Sequence, residues 1–162
     1  MRYFLDTEFD GPRGPLLSIA LVREDGVSLY LIKSAYAKDE WVKENVLPVM
    51  YDHGMFEHEI QGWYNNRSEP GFKYYQCLGE DIAEFLKNDP HPHVISDWPD
   101  DIRYMCDELV TGPGEMVNIP AITFEVRRVD AYPTTLPGAI QHNAWWDAMA
   151  LRHLILGYGE VK

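Results

Sequence analysis

Positive charge is what this sequence most lacks. Fourteen Lys and Arg stand against 26 Asp and Glu, a net charge of −12, which is the wrong sign for a module that holds long nucleic acid by neutralising phosphates. An acidic protein escapes that exclusion if it recruits divalent cations, which then meet the phosphate themselves. Cysteine is scarce too. Cys77 and Cys106 stand in neither a CxxC nor any other metal-type spacing, so free buried thiols are expected rather than a disulfide or a zinc site. No apolar run approaches the roughly 20 residues that cross a bilayer, and Met1 to Leu5 runs straight into Asp6 instead of a signal-type core. These absences predict a cytoplasmic protein with no membrane segment. Low-complexity tracts, internal repeats and linkers are missing as well. A chain of 162 residues that is 46% apolar and 25% charged is expected to fold around one full core, as a single domain over residues 1–162.

What is present is a series of short periodic segments. Arg2 to Leu5 predicts a strand that stops at Asp6-Thr7-Glu8, and Gly11, Pro12, Gly14 and Pro15 predict a turn. Leu16 to Val22 reads as a mostly buried second strand, and the Asp25-Gly26 hairpin signal returns the chain as a third, Val27 to Ile32. Lys38 to Met50 places Trp41, Val42, Val46, Leu47 and Met50 at helical spacing, with Pro48 set to end or bend the helix. His53 to Tyr75 is irregular and predicts a loop. Leu78 to Leu86 predicts a helix, Val94 to Ser96 a brief strand, and the turn Ser96 to Asp101 leads into a helix that would bury Ile102, Met105, Cys106 and Leu109. After a Gly-Pro-Gly break, Ile122 to Val129 alternates as a strand, and Asn143 opens a last helix with Ala148, Leu151, Leu154 and Ile155 inward. The order β-β-β-α-α-β-α-β-α predicts an α/β fold around a mixed sheet.

Carboxylates cluster at three places in this pattern. Asp6 and Glu8 lie two apart at a strand end, so both leave the same face, where like charges repel unless a cation or proton compensates. His142 and Asp147 are five apart, about 500° along a helix, which would point them roughly 140° from each other. His142 is therefore expected in the loop before the helix, with Asn143 as N-cap and Asp147 on the first turn, so that both approach one cleft. Asp147 would then suit a metal, and His142 would suit the removal of a proton from water near neutral pH. The third cluster, Ser96-Asp97-Trp98-Pro99-Asp100-Asp101, joins a strand to a helix. Asp97 closes the strand and Asp101 stands at the helix mouth, and simple N-capping would account for one such acid.

In this order along the chain the clusters resemble the signature of the DEDDh branch of the ribonuclease H-like 3′-to-5′ exonucleases. The residues that carry it are Phe4-Leu5-Asp6-Thr7-Glu8-Phe9, then Leu17-Ser18-Ile19-Ala20-Leu21-Val22, and finally His142-x-Ala144-x-x-Asp147. More narrowly, Trp41-Val42-Lys43-Glu44-Asn45-Val46-Leu47-Pro48 and Asp97-Trp98-Pro99-Asp100-Asp101 are similar to bacterial and phage exoribonucleases of the ribonuclease AS type. The resemblance implies a ribonuclease H-like fold with a mixed central sheet flanked by helices. It also implies two Mg²⁺ or Mn²⁺ ions held by Asp6, Glu8, a middle aspartate and Asp147, with His142 as general base. Asp101 fits the middle position, followed by Tyr104 and Met105 at +3 and +4, and Asp97 is the reserve ligand. The implied substrate is the 3′ end of a single-stranded nucleic acid, RNA by the narrower likeness, with DNA exonuclease activity or a non-catalytic ribonuclease H-like binding module as alternatives. Relatives of this type often pair, so a homodimer is a further expectation. Phe9 and Trp98, beside the acids, are candidates to stack on terminal bases, and Thr7 is a candidate substrate contact. The likeness does not reach His53 to Tyr75. There, His53, Glu57 and His58 lack zinc-helix spacing, as does His91-Pro92-His93 further on. Arg127 and Arg128 would face opposite sides of a strand and make no phosphate patch.

Overall fold

The three apolar segments that open the chain pair as a meander. In the computed structural model, which describes residues 1–52, 78–129 and 136–157, β1 (Arg2–Phe9), β2 (Leu16–Arg23) and β3 (Ser28–Ile32) are consecutive antiparallel neighbours. The expected loop His53 to Tyr75 and Cys77 lie outside the described residues. Strand β1 runs past Leu5 to Phe9, further than hydrophobicity alone predicts. Its acidic residues pair through the backbone, Asp6 with Ala20 and Glu8 with Ser18, and a ladder made by peptide groups is indifferent to the charge of the side chains it carries.

Helix α1 covers only Glu40–Asn45, shorter than the Lys38 to Met50 its periodicity suggested. Asp39 caps it by accepting from the Val42 N–H at 3.1 Å, and turns follow from Val46 to Tyr51, around Pro48, which has no N–H to extend the helix. Val42, Val46 and Met50 are buried, but Trp41, expected among them, is 53% exposed. Next come α2 (Gly79–Leu86), β4 (His93–Ser96) and α3 (Pro99–Leu109). The Gly-Pro-Gly break is the turn of a small hairpin, β5 (Val110–Gly112) with β6 (Glu115–Met116), which the sequence pattern did not show. Strand β7 spans Thr123–Val126, four residues of the expected eight from Ile122 to Val129, and α4 spans Ala144–Leu156. The main sheet has five strands in the order β3-β2-β1-β4-β7, with β4 parallel to both β1 and β7. This is a mixed α/β sheet flanked by helices.

Alternation along β1 sends its residues to two cores. Tyr3 and Leu5 pack with Ile82 and Leu86 of α2 and Met105 and Leu109 of α3, whereas Phe4 packs with Ala144, Trp145, Ala148 and Leu151 of α4. Leu154 was expected inward but is 45% exposed. Nearly every position of α4 is apolar, so its rotation is set by the sheet, which selects the small Ala144 and Ala148 for close approach, and not by an apolar stripe. Cys106 is a free thiol, half-buried rather than buried. No helix among the described residues is long and apolar enough to cross a membrane.

Asn143 ties two of these elements together. Its Oδ1 accepts from the N–H groups of Trp145 and Trp146, and its Nδ2 donates to the Val49 carbonyl at 2.8 Å. Replacing it with alanine removes both the cap and the hydrogen bond to the turn after α1, so Asn143→Ala should lower unfolding stability by ~1–3 kcal/mol. Urea denaturation of the two proteins measures this, and a loss no larger than that of an ordinary surface substitution would contradict it.

Candidate metal centre

The site forms where β1, β4 and α4 end or begin together. Asp6 and Glu8 leave the same face of β1 as Phe4, toward α4, whose first turn carries Asp147. His142 stands just before the cap in a left-handed conformation, φ 64°, a state that costs of order ~1–3 kcal/mol at a residue with a side chain unless its surroundings hold it there. They do. Its N–H donates to Asp147 Oδ2 at 3.1 Å, and its ring meets the Trp41 indole edge-on, with 4.8 Å between centroids. Glu8, His142 and Asp147 each offer a ligand atom within 4.8 Å of the others.

A second group meets beside the first. In the parallel register Phe4 lies next to Ile95, and the same offset carried two residues further sets Asp97 beside Asp6. Asp101 arrives from the first turn of α3. Its carboxylate accepts from Thr7 Oγ1 and from Ser96 Oγ, both at 2.6 Å. Asp6, Asp97 and Asp101 also offer ligand atoms within 4.8 Å of one another. The two aspartates that sequence treats as alternatives therefore both reach Asp6. They differ in restraint, since both Asp101 oxygens are anchored by hydroxyls and the residue is buried, whereas Asp97 is half-exposed.

Both groups line one cleft of about 680 Å³, together with Thr7, Phe9, Asp39, Trp41 and Trp98. Thr7, a candidate substrate contact by sequence, is buried and its hydroxyl is engaged with Asp101. Phe9 reaches the cleft while stacked on Tyr104, with 4.9 Å between ring centroids. Trp98 is 58% exposed. Of the tryptophans flanking the last motif, Trp145 is buried with its indole N–H on Ser28, and Trp146 donates to the Asp52 carbonyl. Trp41 and Asp39 are cleft residues that sequence reasoning missed. Trp41 reads from its spacing as a helix core position and Asp39 falls inside the expected helix, and only the packing of α1 beside His142 reveals another role.

No lysine or arginine is among the described residues lining this cleft, while Asp6, Glu8, Asp39, Asp97, Asp101 and Asp147 are. Burial, followed by the charges of Asp101, Asp147, Glu8 and Asp97, holds the Asp6 carboxyl well above its ordinary range. Burial and then Asp147 and Asp101 push Glu8 up to about 8. Asp101 rises to about 7 because burial outweighs the opposing Ser96 and Thr7 hydrogen bonds, and burial also raises Asp97. Desolvation is thus the largest cause throughout, ahead of the mutual repulsion that sequence emphasises. Such acids are stable together only with protons or cations between them. Carboxylate oxygens and one imidazole form a donor set that could hold hard dications such as Mg²⁺ or Mn²⁺. Compared with known proteins, the chain matches no family model and no curated protein sequence, so function is argued from this geometry.

These raised carboxyls set the pH response of the metal-free protein. Between the unfolded carboxylate range near ~4 and the folded values of about 7 for Asp101 and about 8 for Glu8, the native state binds more protons than the unfolded one. Stability then falls as pH rises through that window. In the presence of a chelator the urea midpoint should drop between pH 5 and pH 8, and Asp6→Asn should raise the midpoint at pH 8 and flatten the profile. A wild-type midpoint that holds level or climbs across this range would refute the electrostatic account.

Proposed function

We propose that this chain is a 3′-to-5′ exoribonuclease that hydrolyses phosphodiester bonds at a two-dication site on a ribonuclease H-like fold. The observation that carries the reading is the meeting of two carboxylate groups, around Asp6 and around Glu8, in a cleft whose described lining has no cationic side chain. A phosphodiester could not approach that lining by itself, so a phosphate-handling role requires ions. The mixed sheet with helices on its faces fits the fold, and the DEDDh-type spacing of Asp6, Glu8, Asp101, His142 and Asp147 supplies the reaction class.

In this mechanism Asp6, Glu8, Asp101 and Asp147 would hold the two ions, with Asp97 beside them as a further oxygen donor. When bound, Mg²⁺ or Mn²⁺ supplies charge balance and Lewis acidity to the reacting phosphate. His142 accepts a proton from the attacking water, and its strained backbone and the Trp41 edge keep the imidazole directed at Glu8 and Asp147. The exposed indoles of Trp98 and Trp41, with Phe9, offer apolar surfaces on which terminal bases stack irrespective of sequence. The likeness to ribonuclease AS-type enzymes favours RNA, a cytoplasmic setting and a homodimer.

Purified protein given 5′-labelled RNA and DNA oligomers should shorten RNA from the 3′ end with Mg²⁺ or Mn²⁺ and not with chelator. Shortening of DNA alone would move the assignment to a DNA exonuclease, and no shortening of either polymer would favour a binding module. Asp6→Asn and Asp147→Asn should each abolish hydrolysis with the fold intact by circular dichroism. His142→Ala should slow turnover by ~10²–10⁴-fold. Near-full turnover in either aspartate variant would overturn the assignment.

A further inference from the structure

Several carboxylates of the cleft are anchored by donors of the chain itself. Asp101 accepts from the Thr7 and Ser96 hydroxyls, and Asp147 accepts from the His142 N–H. Glu8 has no such anchor among the described residues, burial and the charges of Asp147 and Asp101 being what act on it. Directly across the antiparallel ladder from Glu8 stands Ser18. Ser18 is completely buried, and its hydroxyl has no hydrogen-bond partner among the described residues. A buried hydroxyl without a partner costs about 1–3 kcal/mol, so its presence in the middle of an otherwise apolar strand calls for a physical reason.

The register supplies one. Residues directly opposite in an antiparallel pair project from the same face, with Cβ atoms roughly 4.5–5.5 Å apart. Ser18 therefore shares with Glu8 the face that carries Phe4, Ala20 and Val22 and is covered by α4. Its other cross-strand neighbour is Ile32 and the next residue on its own face is Ala20, neither of which has a side-chain acceptor. Within reach across the ladder, the acceptor is the Glu8 carboxylate. The pairing shifts immediately beyond, where Phe9 meets Leu16 instead of Leu17, and the resulting bulge ends the regular ladder at the Glu8–Ser18 pair.

We propose that Ser18 is a positioning residue for metal binding: its hydroxyl donates to the Glu8 carboxylate when that carboxylate turns to a bound dication, and fixes which oxygen faces the ion. The inference rests on the reading of Glu8 as a metal ligand. Donors behind a ligand orient it, and their loss costs about 10–100-fold in metal affinity. Because the hydroxyl is unpartnered without metal, the same loss costs the metal-free protein nothing. This opposition separates a positioning role from a packing role, in which the metal-free fold would suffer.

The test is Mn²⁺ titration by calorimetry on wild type, Ser18→Ala, Glu8→Gln and the double variant, with urea denaturation of each in chelator. Ser18→Ala should bind Mn²⁺ about 10–100-fold more weakly than wild type, with a metal-free urea midpoint equal or higher. In the Glu8→Gln background the serine change should make no further difference. Ser18→Thr, which keeps the hydroxyl, should recover most of the affinity, and it decides the matter if the alanine variant does not fold. Unchanged Mn²⁺ affinity in Ser18→Ala, or an equal loss in both backgrounds, would overturn the proposal while leaving the site reading in place. Absence of Mn²⁺ uptake by wild type would instead overturn both.

Discussion

Desolvation of acids that the fold forces together is the constraint on which the rest of this structure depends. Asp6, Glu8, Asp97, Asp101 and Asp147 line one cleft, and burial is the first cause of every resolved rise in their proton affinity. A folded chain accepts such an arrangement only where something positive, a proton or a metal, completes it. A net charge of −12 makes compensation by distant lysines and arginines weak. The described lining offers none nearby. The same burial destabilises the metal-free fold as pH rises unless a positive species balances the acids.

Neutral groups take part in holding two of those acids in place. Thr7 and Ser96 hydroxyls fix Asp101, the His142 amide fixes Asp147, and Asn143 binds the start of α4 to the turn after α1. Charge-assisted hydrogen bonds of this kind are stronger than neutral ones and directional, so they set the orientation of a carboxylate without adding a competing positive charge. A lysine in the same place would instead neutralise the charge of the acids. One of the two left-handed non-glycine residues among the described ones lies in the same region. The left-handed backbone of His142 is held by the cap on one side and by Trp41 on the other, and it places an imidazole where regular helix geometry would not.

Sheet topology explains why residues so far apart in sequence meet. Strand β4 lies parallel to β1, so both end at the same edge, and Asp97 follows β4 as Asp6 and Glu8 close β1. The connection from β4 turns at once into α3 and brings Asp101 beneath the same acids on the face carrying Thr7. Helix α4 covers the opposite face and brings His142 and Asp147 with it. The acids and the imidazole thus gather around the ends of two adjacent strands.

Much of this was legible in the residues themselves. Short apolar runs bounded by turn signals located β1, β2 and β3, and the Asp6–Glu8 and His142–Asp147 spacings singled out acids that geometry then united. These are local facts, set by the pitch of strands and helices, so the chain carries them openly. Other features had no local signature. Whether Asp97 or Asp101 joined Asp6 could not be read, because both do, one through the parallel register of β4 and one through hydroxyls contributed by Thr7 and Ser96. The rotation of α4 was hidden by its nearly uniform apolarity, and Trp41 looked like core until α1 proved shorter and packed beside His142. Sequence by itself determined which chemical groups the protein possesses and the faces they leave. Tertiary structure alone decided which of them share a desolvated cleft, because convergence depends on distances between segments that no periodicity along the chain encodes.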